Sequence, residues 1–282
     1  TGCSNGVPVV PTRFTDCALV ATQKSSAPSW TIGLDYMIEN HVLTYGKVTR
    51  GYKRGGFNIY AVNQDHLTFA PEYVTTYELG FKSTFNDGAV PFTFNADVFH
   101  TDYKDIQISA GDFNAISFAS GAAVFNAASA TIKGVELEGS VTPVRGLELS
   151  ANYSHLQGTY KKFSIDSPFG QMDCSGGFVA GPVDLSCIPF SYLPKDQFSV
   201  TARYTLPISR DMGKLVVSAT YSYTGAQVET TTQLPQFEPG SLVPSFGLIN
   251  ASINWTGILR SPIDASLFVA LLNFEWVTRR RD

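Results

Sequence analysis

Charge is what this sequence has least of. Only 16% of its 282 residues are Asp, Glu, Lys or Arg, where an average soluble domain carries about 25%, so something else must cover part of its surface. The charge that is present sums to −4, which argues against a basic nucleic-acid binder, and no nucleic-acid partner is expected. Disorder is excluded by an aromatic content of 13%. A membrane helix needs a run of about 20 mostly apolar residues, yet the two longest uncharged stretches, 113–132 and 239–259, are filled with Asn, Ser, Thr, Gly and Pro. Helical 3.6-residue periodicity is essentially missing. So are a G-x-S-x-G elbow, an H-E-x-x-H pair and a phosphate loop. His41, His66, His100 and His155 are scattered. An enzyme, a resident cofactor and a metal site are therefore not expected.

Cysteine is also scarce. Cys3, Cys17, Cys174 and Cys187 fall in two local pairs with turn-rich flanks and no C-x-x-C spacing. Two loop disulfides, Cys3–Cys17 and Cys174–Cys187, are the favoured reading and imply an oxidising compartment; free thiols are the alternative. The first residue is Thr, and no charged segment followed by an apolar one opens the chain. Either a signal has been removed or the chain is a fragment.

What the sequence does have is alternation with period two, the mark of a strand with two different faces. Tyr73, Thr75, Tyr77, Leu79 and Phe81 share one face of 73–85, while Thr76, Glu78, Gly80, Lys82 and Thr84 share the other. The same holds for 31–38, 92–98, 135–141, 147–154, 197–206, 215–224, 249–256 and 263–271, and a less regular strand at 42–53 completes about ten. Tight connections at 39–41, 86–88, 142–146, 207–214 and 256–262 alternate with long ones at 54–71, 110–128, 158–193 and 230–243. In an up-and-down meander all short turns then lie at one end and all long loops at the other. A transmembrane β-barrel has this asymmetry, and about 9–11 tilted residues per strand suffice to span the bilayer. Lipid would cover the apolar stripes, which accounts for the missing charge. A soluble β-sandwich or propeller also alternates. Sandwich strands are shorter, however, averaging about 5–6 residues, and no blade repeat of about 40–50 residues is present.

Four ordered blocks carry a resemblance. They are Leu43–Asn58 (L-T-Y-G-K-V-T-R-G-Y-K-R-G-G-F-N), Phe69–Ser83 with its P-E-x-x-x-x-Y-E-x-G-x-K core, Asn95–Gln107, and Ile132–Glu138. Leu147–Ser154 is similar too. Together they resemble the barrel of TonB-dependent outer-membrane receptors, densely over about 30–160 and loosely beyond. The resemblance implies an all-β, antiparallel, up-and-down transmembrane barrel, of which about ten of 22 strands are present. It places the chain in the bacterial outer membrane, in contact with its lipid. The family's N-terminal plug, its TonB-contacting segment and at least the last strand are expected to be absent, so the chain reads as a C-terminal portion of a barrel. Glu78, Lys82, Glu136 and Glu138 would face the lumen. Phe and Tyr near strand ends, Tyr36, Tyr45, Tyr73, Phe92, Tyr153, Tyr204 and Tyr223 among them, read as interface girdles with Trp255.

By that resemblance the whole protein would import a scarce ligand using energy delivered by TonB. A ferric siderophore comes first, with vitamin B12 or a carbohydrate as other nutrients. Ligand-contact candidates lie on the long loops: Arg54, Asn58, Asp65 and His66 in the first, and Phe113 and Phe118 in the second. A passive porin, a barrel enzyme or a soluble all-β binding module remain the alternatives; extraction into buffer without detergent would single out the soluble one.

Overall fold

A computed structural model describes residues 23–86, 88, 90–114, 116–229, 234, 240–258 and 266–277. Each alternating run becomes a strand, because β-branched and aromatic side chains suit a pleated surface that is apolar on one side. In chain order the strands are β1 (Trp30–Ile38), β2 (Val42–Lys53), β3 (Gly56–Phe57), β4 (Thr68–Phe69), β5 (Glu72–Phe85), β6 (Phe92–Asn114), β7 (Ala119–Val144) and β8 (Leu147–Met172), followed by β9 (Phe178–Asp184), β10 (Asp196–Thr205), β11 (Lys214–Thr224), β12 (Gln227–Val228), β13 (Leu242–Val243), β14 (Phe246–Thr256) and β15 (Ser266–Val277). The wall is one meander, β1-β2-β5-β6-β7-β8-β10-β11-β14-β15, with β9 paired to β8. The pairs β3–β4 and β12–β13 are separate short ladders within the connections.

Register sorts the side chains cleanly. Ser199 lies opposite both Asn152 and Ser222, and Thr220 lies opposite both Thr201 and Asn250. Cross-strand hydroxyl pairs tie this polar face together: Thr93 to Ser140, Thr201 to Thr220 and Ser218 to Ser252, each at 2.8 Å. The other face carries Ile32, Leu79, Val98, Val200, Ile253 and Val269, all exposed; Leu34 reaches 81% and Leu79 64% exposure. Leaving such side chains in water would forgo about 1.5–3 kcal/mol each. Facing hydrocarbon, they form the outer band of a barrel wall.

The connections differ at the two ends. At the short end, Glu39 and Asn40 both adopt positive φ (48° and 60°), the primed turn that matches strand twist, and His41 N–H donates to the Ile38 carbonyl at 3.2 Å. At the other end, two stretches read as loops are strands. β6 and β7 run on together through 106–114 and 119–128 to a short turn, and β8 continues to Met172 before turning back into β9. Alternation needs a different solvent on each face. Above the bilayer neither face meets lipid, so the pattern fades while the backbone ladder continues.

The described buried core also lies in this outer half. Ala128, Ala130, Tyr160, Phe163, Val183, Leu185 and Ile188 pack together with Leu234, and Tyr160 stacks on Phe190 at 4.1 Å. A disulfide joins Cys174 to Cys187 across the β8–β9 hairpin, with Cα atoms 5.7 Å apart. Cys3 and Cys17 lie outside the described residues.

Tyr45 corrects one expectation. It is not an interface residue. Its position opposite Gly80 turns it inward, and its hydroxyl donates to Glu78 at 2.8 Å. The ring occupies the space Gly80 leaves: a Cβ there would stand 2.8 Å from the Tyr45 hydroxyl.

The sorting of faces predicts an asymmetry. Val98→Arg, on the lipid face at mid-wall, should lower the stability of the wall by about 2–4 kcal/mol in denaturant titrations in phosphatidylcholine vesicles. Ser199→Arg, facing the lumen, should cost less than half of that.

Candidate functional site

The long connection 54–71 does not float free; it docks on the β6–β7 hairpin. It leaves β2 at Gly55, where a Cβ would lie 2.2 Å from the Phe69 carbonyl. It meets β7 at Gly121, where a Cβ would lie 2.1 Å from the Tyr60 carbonyl. At both points only glycine lets the two backbones come this close.

Asp112 is the anchor. It is 3% exposed, and its carboxylate accepts from the Val62 amide at 2.7 Å, the Asn63 amide at 3.2 Å and Asn63 Nδ2 at 2.5 Å. His66 Nδ1 lies 2.8 Å from the same carboxylate, and the His66 ring meets Phe125 edge-on at 4.9 Å. Burial alone would push the Asp112 carboxyl up. The hydrogen bonds from His66, Asn63 and the Val62 and Asn63 amides outweigh it and hold the group below the usual carboxylate range. Asn114 reinforces the clasp, donating to the Val62 carbonyl and Asn63 Oδ1, while its own Oδ1 accepts from the Ile116 and Ser117 amides and so forms the hairpin turn. At the root of the loop, Gln107 donates to the Arg54 and Ala70 carbonyls, and Asn126 both donates to and accepts from the Ala70 backbone.

Of the ligand-contact candidates named above, Asn58 and His66 are brought together. Asn58 is buried, its amide donating to the His66 and Val124 carbonyls and accepting from the Val124 amide. It therefore acts on backbone, as a clasp between loop and hairpin. Arg54 stands exposed at the loop root and Asp65 exposed in the Gln64–His66 turn. Phe113 packs on Phe169 of the β8–β9 hairpin at 4.3 Å. Phe118 is 81% exposed at the tip of the β6–β7 hairpin, with φ 55°, beside Ile116 at 93%. Gln107, Asp112, Asn114 and Asn126 were missed by sequence reasoning. One signal pointed to Asp112: it is the single charged residue between 106 and 132.

Below the loops, the lumen face encloses a cavity of about 1000 Å³ lined by Lys47, Glu78, Lys82, Asp97, Glu136 and Glu138 among others. Lys47 pairs with Glu78 at 2.9 Å, and Asn95 donates to Glu138 at 3.1 Å. Carboxylates outnumber cations here, so this wall presents negative potential to whatever fills the lumen.

The anchor predicts a pH-dependent loop. The folded Asp112 carboxyl ionises below its unfolded value, so the clasp is complete above about pH 4 and loosens as pH falls through the lower folded value. Asp112→Ala should ease local opening by about 1.5–3 kcal/mol at neutral pH. Hydrogen exchange at the Val62 and Asn63 amides reads both effects.

Comparison with known proteins agrees with this architecture. The family model described as "TonB dependent receptor-like, beta-barrel" matches residues 9–273. Among solved structures, the ferric yersiniabactin uptake receptor FyuA from Yersinia pestis is similar with a TM-score of 0.58 at 17% identity, over 85% of this chain and 31% of that one. BauA, the ferric preacinetobactin receptor from Acinetobacter baumannii, gives 0.57 at 16% identity, over 89% and 33%. The siderophore receptor PiuA from the same organism gives 0.56 at 16%, over 84% and 32%. At these identities the likeness is one of fold, and the chain spans about a third of the length of each receptor. The family match extends over nearly the whole chain, which therefore belongs to the TonB-dependent receptor β-barrel family of bacterial outer-membrane proteins.

Proposed function

We propose that the receptor containing this chain takes up a scarce nutrient across the outer membrane, a ferric siderophore first, with TonB supplying the energy. This chain contributes wall and extracellular surface and performs no chemistry. The plug and the segment that contacts TonB belong to the part of the receptor preceding these strands.

The observation that carries the reading is the loop platform. A polar clasp buried at Asp112 holds a long loop against a hairpin whose tip exposes Phe118 and Ile116, with Tyr60 and Ile59 exposed on the loop itself. Rigid aromatic and aliphatic tips suit a bulky organic chelate, and the exposed Arg54 suits its negative charge. The acidic lumen wall beneath would meet the plug. The fold neighbours support the ligand class, since FyuA, BauA and PiuA are receptors for ferric yersiniabactin, ferric preacinetobactin and a siderophore.

Deleting the gene should abolish energy-dependent uptake of one radiolabelled ferric siderophore under iron limitation. Restoring it with Phe118→Ala or Arg54→Ala should weaken binding by about tenfold, as removal of an interface anchor typically does. Unchanged uptake of every ferric siderophore in the deletion strain would move the assignment from iron to another nutrient.

A further inference from the structure

We propose that residues 188–193, folded inward over β8, form a fixed shelf in the mouth of the lumen and act as the size filter for whatever descends along β8, β10 and β11. The proposal rests on the import reading and adds to it the property by which cargo is selected on this side of the barrel.

Register identifies the inward face of β8. Ser154 opposes Glu136, Leu156 opposes Gly134 and Gly158 opposes Ile132, so these residues share the face that lines the cavity, and Tyr160 is the next residue on it. That face has a notch. A Cβ at Gly158 would stand 2.7 Å from both Phe190 Cδ2 and Leu193 Cδ2. The Phe190 ring lies nearly parallel to Tyr160 at 4.1 Å. Residues 190 and 193 are therefore seated on the lumen side of the wall, in space that the missing side chain of Gly158 leaves open.

Both ends of the shelf are tied down. Ahead of it, the Leu185 amide donates to the Phe163 carbonyl at 2.8 Å, Ile188 is buried, and the Cys174–Cys187 disulfide closes the root. Behind it, the Lys195 carbonyl accepts from the Leu156 amide at 2.8 Å. Pro189 and Pro194 bracket the four residues between them, and each ring fixes its own φ.

A second connection braces the first. Ser191 bridges to Val228, the Tyr192 amide donates to the Val228 carbonyl at 2.8 Å, and the Tyr192 hydroxyl donates to Glu229 at 2.5 Å. Val228 pairs in turn with Leu242 in the β12–β13 ladder. Tyr192 takes φ 55°, a left-handed conformation that a bulky residue keeps only where its surroundings hold it there. Most connections run over the outer surface of a protein. This one is held by its apolar seat, its roots and its neighbour in a position that gives up lumen cross-section, which argues for a part in passage.

Thiol labelling of the full-length receptor in intact cells tests the assignment. The reporter is Gln197→Cys, carried with Cys3→Ser and Cys17→Ser. Gln197 lines the cavity and opposes Ser154, two same-face steps or about 14 Å below Gly158. Two reagents are added from outside: aminoethyl methanethiosulfonate, which is small, and a maleimide on a long poly(ethylene glycol) chain. Each rate is taken relative to that of Ile116→Cys at the exposed hairpin tip. The small reagent should label the reporter about tenfold faster than the bulky one on this relative scale. Phe190→Ala combined with Leu193→Ala unseats the shelf, and should raise the bulky rate about tenfold while leaving the small rate unchanged. Equal relative rates with the shelf intact, no labelling by the small reagent, no gain in the bulky rate on unseating, or a rise in both rates alike would each overturn the proposal. No nutrient enters these measurements, so uptake in the deletion strain decides import and labelling decides the shelf.

Discussion

A backbone amide inside a bilayer has no water to turn to, and this requirement shapes everything else in the wall. Each strand must be paired along its length with its neighbours, so the meander runs from β1 to β15 with antiparallel pairing at every step. Pairing fixes register, and register fixes faces, because a slip of one residue would turn outward residues such as Leu79 and Val98 toward the lumen and inward ones such as Ser199 and Glu78 toward lipid. The low charge of the sequence is the compositional trace of that constraint. One side of each wall strand gives its surface to hydrocarbon, where charge is costly. The other faces a wet lumen, where Thr, Ser and Asn satisfy one another across the strands.

Outside the bilayer the rules change within the same strands. Once β6, β7 and β8 rise above the apolar band, water again surrounds the chain, and stability has to come from burial and from local ties. The described apolar core gathers there, around Phe163, Val183 and Leu185, all fully buried. The Cys174–Cys187 bridge closes the β8–β9 hairpin beside it. The Asp112 clasp belongs to the same region. A carboxylate this deeply buried is stable only because four donors converge on it, and those donors come from a loop about fifty residues earlier in the chain.

That distance explains what could and could not be read from sequence. Strand positions within the membrane were legible, since lipid on one side and water on the other write a strict alternation into residues such as Tyr73 through Phe85. The family was legible as well, through ordered blocks such as Leu43–Asn58. Where lipid ends, so does the code. The Ala- and Ser-rich residues 119–130 carry no period that distinguishes a strand from a loop, yet they are paired with β6. Tyr45 was read as facing lipid because tyrosine favours interfaces, whereas the empty space at Gly80 draws it inward. Asn58 and His66 were found for their chemistry, but the partner that gives them their positions, Asp112, was not. Only the folded register brings residues 58–66 to residues 112–124.

The two roles within the loop region are complementary. Asn58, Asn63, Asp112 and Asn114 direct their polar atoms at backbone and at one another, so they have little left to offer a ligand. Their effect is conformational: they tie the loop to the hairpin and settle its shape, so that on the proposed function the entropy of ordering it would not be charged to binding. The side chains left exposed are their neighbours, Tyr60 and Ile59 beside the clasp and Ile116 and Phe118 beyond the Asn114 turn. A polar residue that holds and an apolar residue that displays alternate along the same short segments. On the function proposed above, capture of a dilute ligand would gain from that division, because affinity would then come from exposed tips on a frame that is already rigid.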